Sequence, residues 1–375
     1  MRENSGGGPD IVARFWLEQY LDAYIAHGAS KIKFITGDFG AGKSRCLRQF
    51  LSEAAQRGYK TASLSAKSTW IHDFKEIFAS ILNAVDLTAC LGNCAQKIIA
   101  EMGYSPEEIP ADMSFTDYLT DKGLFDPITR RELRSQLNEM FFKNPRIDKS
   151  FSVCAGLMTG GIIGYPVLEP SSQALLTAWL TSEKGVRLPT LRKLGLSSKI
   201  TRHNARHMLR SLVEILRIAG YTGLVVGIDD LEILTGGSFL EEIRYTKMRR
   251  EDAYESIREL IDEIDTLSHI MFVFAFDREL ADNESAGLKS YQALWMRVQN
   301  EIESRRFNLF ADIIDLDKLA GADTPGMAET PEALAALEAT EAVEAPGPEG
   351  AVNAADTDTD FDTDTDIGTG GIGYE

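Results

Sequence analysis

A lysine and a serine that close a glycine-rich run are the residues of this chain best suited to phosphate chemistry. The run Gly37–Ser44 (GDFGAGKS) fits the phosphate-loop pattern G-x-x-x-x-G-K-[ST] at every fixed position. Glycines let successive backbone N–H groups converge on a phosphate, and the positive end of a following helix favours the same charge. Lys43 would reach the β- and γ-phosphates, and the Ser44 hydroxyl would hold Mg²⁺. The predicted nucleotide-binding residues are Gly37, Asp38, Phe39, Gly40, Ala41, Gly42, Lys43, Ser44 and Arg45.

Two adjacent acids, Asp229 and Asp230, follow a continuous apolar run and fit the second half of such a site. A buried parallel strand delivers its last residues to the carboxyl edge of the sheet, beside the phosphate loop. We predict that Asp229 binds Mg²⁺ and that Asp230 orients the attacking water and accepts its proton. Many related ATPases carry Glu at the second position. Because aspartate is one methylene shorter, slow turnover, or binding with little hydrolysis, stays open.

Three further residues are candidates for sensing or completing the site. Asp277 ends another apolar strand, where a polar side chain could sense the γ-phosphate, although a strand-end Asp also serves as a helix cap. Arg305 and Arg306 follow a late helix. Either could act as an arginine finger across a subunit boundary. The alternative for the two arginines is a salt-bridged surface pair.

The elements that must position these residues are short apolar strands separated by helices. Strand signals fall at residues 31–36, 58–65, 223–230, 270–277 and 313–316, and helical periodicity separates them. Continuous apolar strands of this kind indicate a parallel sheet covered on both faces. The predicted fold class is therefore α/β: a P-loop NTPase sheet flanked by helices.

Composition along the chain predicts four regions. Residues 1–83 hold the first part of the NTPase core, 84–220 a mostly helical insertion, 221–319 the rest of the core and 320–375 an acidic tail. The tail contains seven Asp, seven Glu and no Lys or Arg, so it accounts for 14 of the 18 net negative charges. It is predicted to be disordered, because it cannot bury enough apolar surface. Within the insertion, the glycine-broken stretch 156–168 is interpreted as a loop or turn near the core.

Cysteine usage and hydropathy favour a soluble protein of the reducing cytoplasm. The four cysteines are scattered, and the pair Cys90 and Cys94, one helical turn apart, lacks the partners of a zinc set. Free thiols are the expected state. The N-terminal residues lack the apolar core of a signal peptide, and no apolar run approaches the roughly 20 residues that span a bilayer.

Basic residues concentrate near the end of the insertion and make DNA or RNA a candidate partner. Arg202, Arg206 and Arg210 are spaced for one helix face, where they could contact phosphates. The alternative is the polar face of an amphipathic helix, because no aromatic residues interleave with them. The other members of the cluster are Lys193, Lys199, His203 and His207.

Three segments resemble the ATP-binding P-loop family of bacterial BREX phage-defence loci, which is similar to AAA+ ATPases of the origin-recognition type. The first is Phe34–Leu51 with its acidic-aromatic-glycine step. The second runs from Trp179 to Glu232 and closes in Asp-Asp-Leu-Glu, where the family more often shows Asp-Glu-Leu-Glu. The third runs from Arg249 to Arg297. The resemblance covers roughly residues 30–315.

The resemblance implies an ATP-binding protein with Mg²⁺ that works beside other defence-system proteins. One hypothesis is an ATPase that couples its nucleotide state to a partner or to DNA, in which a homo-oligomer is a candidate assembly. The other is a scaffold or switch that binds ATP with little or no hydrolysis. A kinase would need an acceptor-binding set that the sequence does not show.

Overall fold

Five parallel strands form the centre of the protein. The computed structural model describes residues 8–236, 243–303 and 308–321. Neighbouring strands pair in the order β2-β3-β4-β1-β5, and every pairing is parallel. The strands are β1 (Ser30–Gly37), β2 (Lys60–Ser65), β3 (Leu224–Asp229), β4 (Ile270–Asp277) and β5 (Ile313–Asp315). The predicted α/β class and all five predicted strands are confirmed.

Helices connect and cover these strands. They are α1 (Gly8–Trp16), α2 (Lys43–Gln56), α3 (Phe74–Val85), α4 (Leu87–Glu101), α5 (Phe115–Asp121), α6 (Pro127–Leu137), α7 (Lys149–Ile163), α8 (Pro170–Leu180), α9 (Leu188–Lys193), α10 (Ala205–Ile218), α11 (Ile233–Gly236), α12 (Lys247–Glu263), α13 (Arg278–Asp282), α14 (Gln292–Glu303) and α15 (Leu316–Gly321). Short 3₁₀ and π turns extend several of them. The predicted tail begins at residue 320. From residue 322 onward, it lies outside the part of the chain that the structure describes.

Successive strand residues feed two separate apolar cores, because side chains alternate across a pleated sheet. On one face, Phe34, Ile228 and Phe274 join a large cluster with α3, α4 and α12. On the other face, Ile35 and Val273 join a smaller cluster with α1 and α2. The sheet is thus buried on both sides, as its unbroken apolar strands indicate.

Strand register brings the carboxyl ends of four strands together. In the β1–β4 pairing Gly37 lies opposite Asp277, and in the β2–β3 pairing Ser65 lies opposite Asp229. Strand β4 lies between the strand that leads into the phosphate loop and the strand that ends in Asp229. The predicted phosphate loop and the predicted acids therefore meet at one edge.

One lysine lies inside the sheet without breaking it. The side chain of Lys33, in β1, is fully buried. Its Nζ donates to the carbonyl oxygens of Phe310 (2.7 Å) and Ala311 (2.8 Å) and to Asp312 Oδ1 (3.0 Å). Because a buried ammonium is tolerated only when its donors are satisfied, these bonds fix the segment that enters β5.

Between α3 and β3 the chain runs through α4 to α10, and this fully described stretch contains no strand. Its buried residues join the cluster on one face of the sheet. The interpretation of residues 156–168 as a loop or turn is wrong for its first half, because α7 continues to Ile163. Added side chains at Gly156 and Gly161 would meet Phe142 and Leu168 at 2.9 Å. These glycines therefore permit close packing and do not interrupt the helix.

Helix α2 packs closely on the sheet at Gly227 in β3. A Cβ built there would lie 2.8 Å from Leu47 and 2.9 Å from Leu51, both on α2. This contact fixes the helix that begins with Lys43. Among the described helices, none alone is long and apolar enough to cross a membrane. Helices α3 and α4, which bend by 60° at their junction, reach that measure only as a pair, by length and composition.

Candidate functional site

The glycine-rich run forms a turn between β1 and α2. Gly40 (φ +90°) and Gly42 (φ +97°) adopt left-handed backbone conformations that favour glycine. Gly42 is the N-cap of α2, so the free N–H groups of the first turn of a 14-residue helix face the loop. This geometry favours an anion by hydrogen bonding and by the helix dipole.

Lys43 points its ammonium back into this turn. Its Nζ donates to the carbonyl oxygens of Gly37 (3.1 Å) and Asp38 (2.8 Å) and pairs with Asp277 Oδ1 at 2.5 Å. The side chain of Lys43 is 9% exposed and that of Asp277 is 24% exposed. The ammonium is therefore held at the sheet edge, in contact with an anionic oxygen.

Asp229, the last residue of β3, and Asp230, which follows it, make different contacts. The backbone N–H of Asp230 donates to Asp229 Oδ1 at 2.9 Å. Asp230 has a left-handed backbone (φ +64°) and turns towards β2, where its carboxylate accepts from Ser65 Oγ (2.5 Å) and Lys67 Nζ (2.7 Å). Burial is the largest influence on its pKa and raises it, but the hydrogen bonds from Lys67 and Ser65 outweigh burial. The pKa of Asp230 therefore lies below its usual value.

Glu232 lies on the opposite side of this turn, towards β4. Its Oε2 accepts from the backbone N–H of Asp277 at 3.4 Å, and its Oε1 lies 3.8 Å from Lys67 Nζ. Burial raises the pKa of Glu232 above its usual value, and the charges of Asp277 and Asp230 act in the same direction. Glu232 is thus a carboxylate of raised proton affinity beside the residue that pairs with Lys43.

Arg278 ties the start of the phosphate loop to the neighbouring strand ends. Its guanidinium contacts Asp315 (2.7 Å), Asp317 (2.9 Å) and Asp38 (3.2 Å). The Asp317 carboxylate also accepts from the backbone N–H of Asp38 at 2.6 Å. Three strand ends, those of β1, β4 and β5, are therefore cross-linked at the entry to the loop.

The remaining predicted site residues are less constrained. Phe39 is 96% exposed at the tip of the loop. Ser44 is half-buried on α2, and the exposed Arg45 pairs with Asp10 at 3.3 Å. Arg305 and Arg306 lie outside the described residues.

Sequence reasoning missed Ser65, Lys67, Glu232 and Arg278 as members of this edge. Ser65 was recognised only as the end of a strand, and Lys67 lies in the turn after it. A strand-end position was the one available signal for Ser65 and Arg278. Ser65 contacts Asp230, and Arg278 contacts Asp317, because of the order of the strands in the sheet. No local sequence pattern encodes that order.

The predicted basic helix face is wrong in two respects. Arg202 lies in the turn before α10, so it does not share a helix face with the other two arginines. Arg206 pairs with Glu259 and Glu263 and lies over the ring of Phe74. It is a structural link between α10, α12 and α3, because both its charge and its planar face are occupied.

The fold and this edge define an α/β protein whose parallel sheet and helix flanks are compatible with a P-loop NTPase. The model of the family described as BREX system ATP-binding protein BrxC/D matches residues 16–344. The chain belongs to that family, as its sequence segments indicated. A search of the curated proteins found no match.

Proposed function

We propose that the protein binds ATP at this edge and hydrolyses it with Mg²⁺, as a component of a bacterial anti-phage defence system. The observation that carries the proposal is the pairing of Lys43 with an anionic oxygen at the mouth of a glycine turn. In the proposed complex, a γ-phosphate oxygen would take the place of the Asp277 carboxylate, which lies 2.5 Å from Lys43 Nζ. The family membership supports ATP as the nucleotide.

The residues present suit Mg²⁺ in the manner of nucleotide sites. Mg²⁺ bound with a nucleotide takes one or two protein oxygens, and phosphate oxygens and water supply the rest. Ser44 offers a hydroxyl and Asp229 a carboxylate, which is the oxygen chemistry required. Among the residues that the structure describes, no cluster of three or more His, Cys, Asp or Glu could hold a metal without such help. When bound, the ion would neutralise charge that develops on the phosphates.

Hydrolysis needs a group that orients water and takes its proton, and two acids compete for that role. Asp230 is the base that the sequence predicts, and its two oxygens accept hydrogen bonds from Ser65 and Lys67. Glu232 is the second candidate, because it contacts the backbone of Asp277 and its pKa is raised. A base of raised pKa accepts a proton more readily at neutral pH. The geometry therefore favours Glu232 for proton transfer and Asp230 for holding the turn.

The position of β4 supports an AAA+-like arrangement with Asp277 as the γ-phosphate sensor. In this arrangement the γ-phosphate would displace the Asp277 carboxylate from Lys43, and the loss of that ion pair would signal the bound nucleotide. This strand separates the phosphate-loop strand from the Asp229 strand, so its last residue lies between the two halves of the site. The roles of Arg305 and Arg306 as fingers, and a homo-oligomer that would use them, stay predictions. The buried free thiols fit the proposed cytoplasmic location.

The alternative function is an ATP-dependent scaffold or switch with little turnover. The observation that favours it is the ion pair between Lys67 and Asp230. This pair engages the carboxylate that would otherwise orient the attacking water. In this alternative, a phosphate of ATP would displace the Asp277 carboxylate from Lys43. Partner proteins would then bind differently to the ATP-bound and ATP-free forms.

Phosphate release separates the two functions. The purified full chain is mixed with ATP and Mg²⁺, and phosphate is followed over many turnovers. Steady release that Lys43→Ala abolishes supports the ATPase, because Lys43 is the cation of the loop. Tight ATP binding without release supports the scaffold. Release that persists in Lys43→Ala contradicts the proposed site.

The defence role has its own test in gene context. Genes for a methyltransferase and a phosphatase-like protein beside this one would support it. Neighbouring genes with no relation to phage defence would contradict the defence assignment. The proposal that the protein binds ATP would not be affected.

A further inference from the structure

Residues 184–213 carry a charge opposite to that of the protein as a whole. The chain has a net charge of −18, yet this stretch contains eight Lys or Arg and no Asp or Glu. We name as the basic strap the segment 184–204, which joins α8 to α10 and includes α9, together with Arg210 on α10. Such local inversion concentrates positive potential on one part of an acidic molecule.

Seven of the eight cations have no counter-ion in the part of the chain that the structure describes. Arg206 alone is neutralised, by Glu259 and Glu263. Arg210 is half-buried, and the other six are exposed: Lys184, Arg187, Arg192, Lys193, Lys199 and Arg202. These seven cations are therefore free to pair with an external anion.

The basic strap is held in one shape by buried anchors between its cations. Leu191 and Leu196 are fully buried and Ile200 is 5% exposed. Trp179 Nε1 donates to the carbonyl oxygen of Ser198 at 2.8 Å, and the hydroxyls of Ser150 and Ser197 lie 3.0 Å apart. Because the backbone is fixed on α7 and α8, little conformational entropy is lost when the cations engage a ligand.

We propose that the basic strap is a binding site for the phosphodiester backbone of double-stranded DNA. Separate Lys and Arg side chains along one segment, most of them exposed, suit a polyanion with regularly spaced charges. Residues 184–213 contain no Phe, Tyr or Trp. Because single strands are bound largely by bases stacking on aromatic rings, this composition favours duplex backbone contacts without sequence readout. The proposal stands apart from the nucleotide site, since none of these residues belongs to it.

The test is a salt series with the full-length chain and a 30-bp duplex, read by fluorescence anisotropy. The test variant is Lys199→Ala/Arg202→Ala, and the matched control is Lys97→Ala/Arg131→Ala, which removes one exposed Lys and one exposed Arg elsewhere. Each phosphate contact contributes about 0.9 to the slope of log K against log salt. We expect the test variant to bind more weakly and to reduce that slope by about two, and the control to match the wild type.

Three results would overturn the proposal: no duplex binding by the wild-type chain, binding that ignores salt, or equal losses in the test and control variants. Polyglutamate is the second probe. If it binds through Lys199 and Arg202 while the duplex does not, the basic strap serves an acidic polypeptide and the DNA assignment is wrong. Circular dichroism and ATP binding of both variants separate a lost contact from a folding defect.

Discussion

At the scale of single residues, the site is organised by opposite charges that face each other across strand ends. Lys43 pairs with Asp277, Lys67 with Asp230, and Arg278 with Asp38, Asp315 and Asp317. Each pair joins residues far apart in sequence, so each fixes one strand end relative to another. Each of the three sets includes a residue that we assign to the nucleotide site.

Replacing Asp277 by Asn should strengthen ATP binding. The carboxylate competes with the γ-phosphate for Lys43 and repels it, and the amide does neither. An ion pair at a partly exposed site is worth about 1 kcal/mol or less, so we expect an affinity gain of up to about fivefold. Calorimetry with Mg²⁺ and ATP measures it. The exposed Asp112→Asn is the control. Weaker binding by Asp277→Asn would show that the carboxylate assists the nucleotide.

Glu232→Gln and Asp230→Asn distinguish the two candidate bases by their pH profiles. A base works only when deprotonated, so a raised pKa makes turnover increase with pH through a value above that of an ordinary glutamate. Glu232→Gln should lower turnover by about 10²-fold or more and abolish this limb. Asp230→Asn should keep the limb, because the lowered pKa of Asp230 leaves it ionised across that range. The reverse pattern would assign the base to Asp230.

At the scale of elements, strands were predictable and contacts between turns were not. Strand β4 has the predicted bounds, because eight apolar or strand-ending residues mark it without interruption. The glycine turn between β1 and α2 was equally predictable from the sequence, because its pattern is local. Glu232 and Lys67 were not predicted as site residues, because only the pairing of β2 with β3 brings the turns that carry them together. Arg202 was misplaced because periodicity continues smoothly past the start of α10.

Gly227→Ala should destabilise the protein and weaken nucleotide binding together. The new methyl group would press on Leu47 and Leu51 of α2, which carries Lys43. Overpacking of this kind costs about 1–3 kcal/mol. Thermal melting and ATP calorimetry measure the two effects.

Gly92→Ala is the control for this substitution. Gly92 lies in α4 with nothing within 4 Å of an added Cβ. Alanine there should preserve or slightly raise stability, by about 0.4–1 kcal/mol. A Gly227→Ala protein as stable as Gly92→Ala would refute the close contact between α2 and β3.

At the scale of the whole molecule, the cores on the two faces of the sheet enclose every cysteine. Cys46 lies in the core with α1 and α2, and Cys90, Cys94 and Cys154 lie in the other core. Burial raises the pKa of the Cys46 and Cys94 thiols to about 12 and also raises the pKa values of Cys90 and Cys154. All four are free thiols.

The thiols should therefore report on global opening. The thiolate is the reactive form, and both burial and a raised pKa suppress it. At pH 8 the native chain should react with Ellman's reagent only slowly, whereas four thiols should react promptly in guanidinium chloride. Absorbance of the released thionitrobenzoate gives the count. A prompt reaction of one or more thiols in the native protein would contradict the packing of the corresponding core.

Calorimetry of Mg²⁺ and ATP with the wild-type chain and with Lys43→Ala tests the central claim most directly. The account predicts saturable binding at one site in the wild type and a loss of that heat in Lys43→Ala, with unchanged circular dichroism. Absence of binding by the folded wild-type chain, or equal binding by the variant, would contradict a nucleotide site at the turn between β1 and α2.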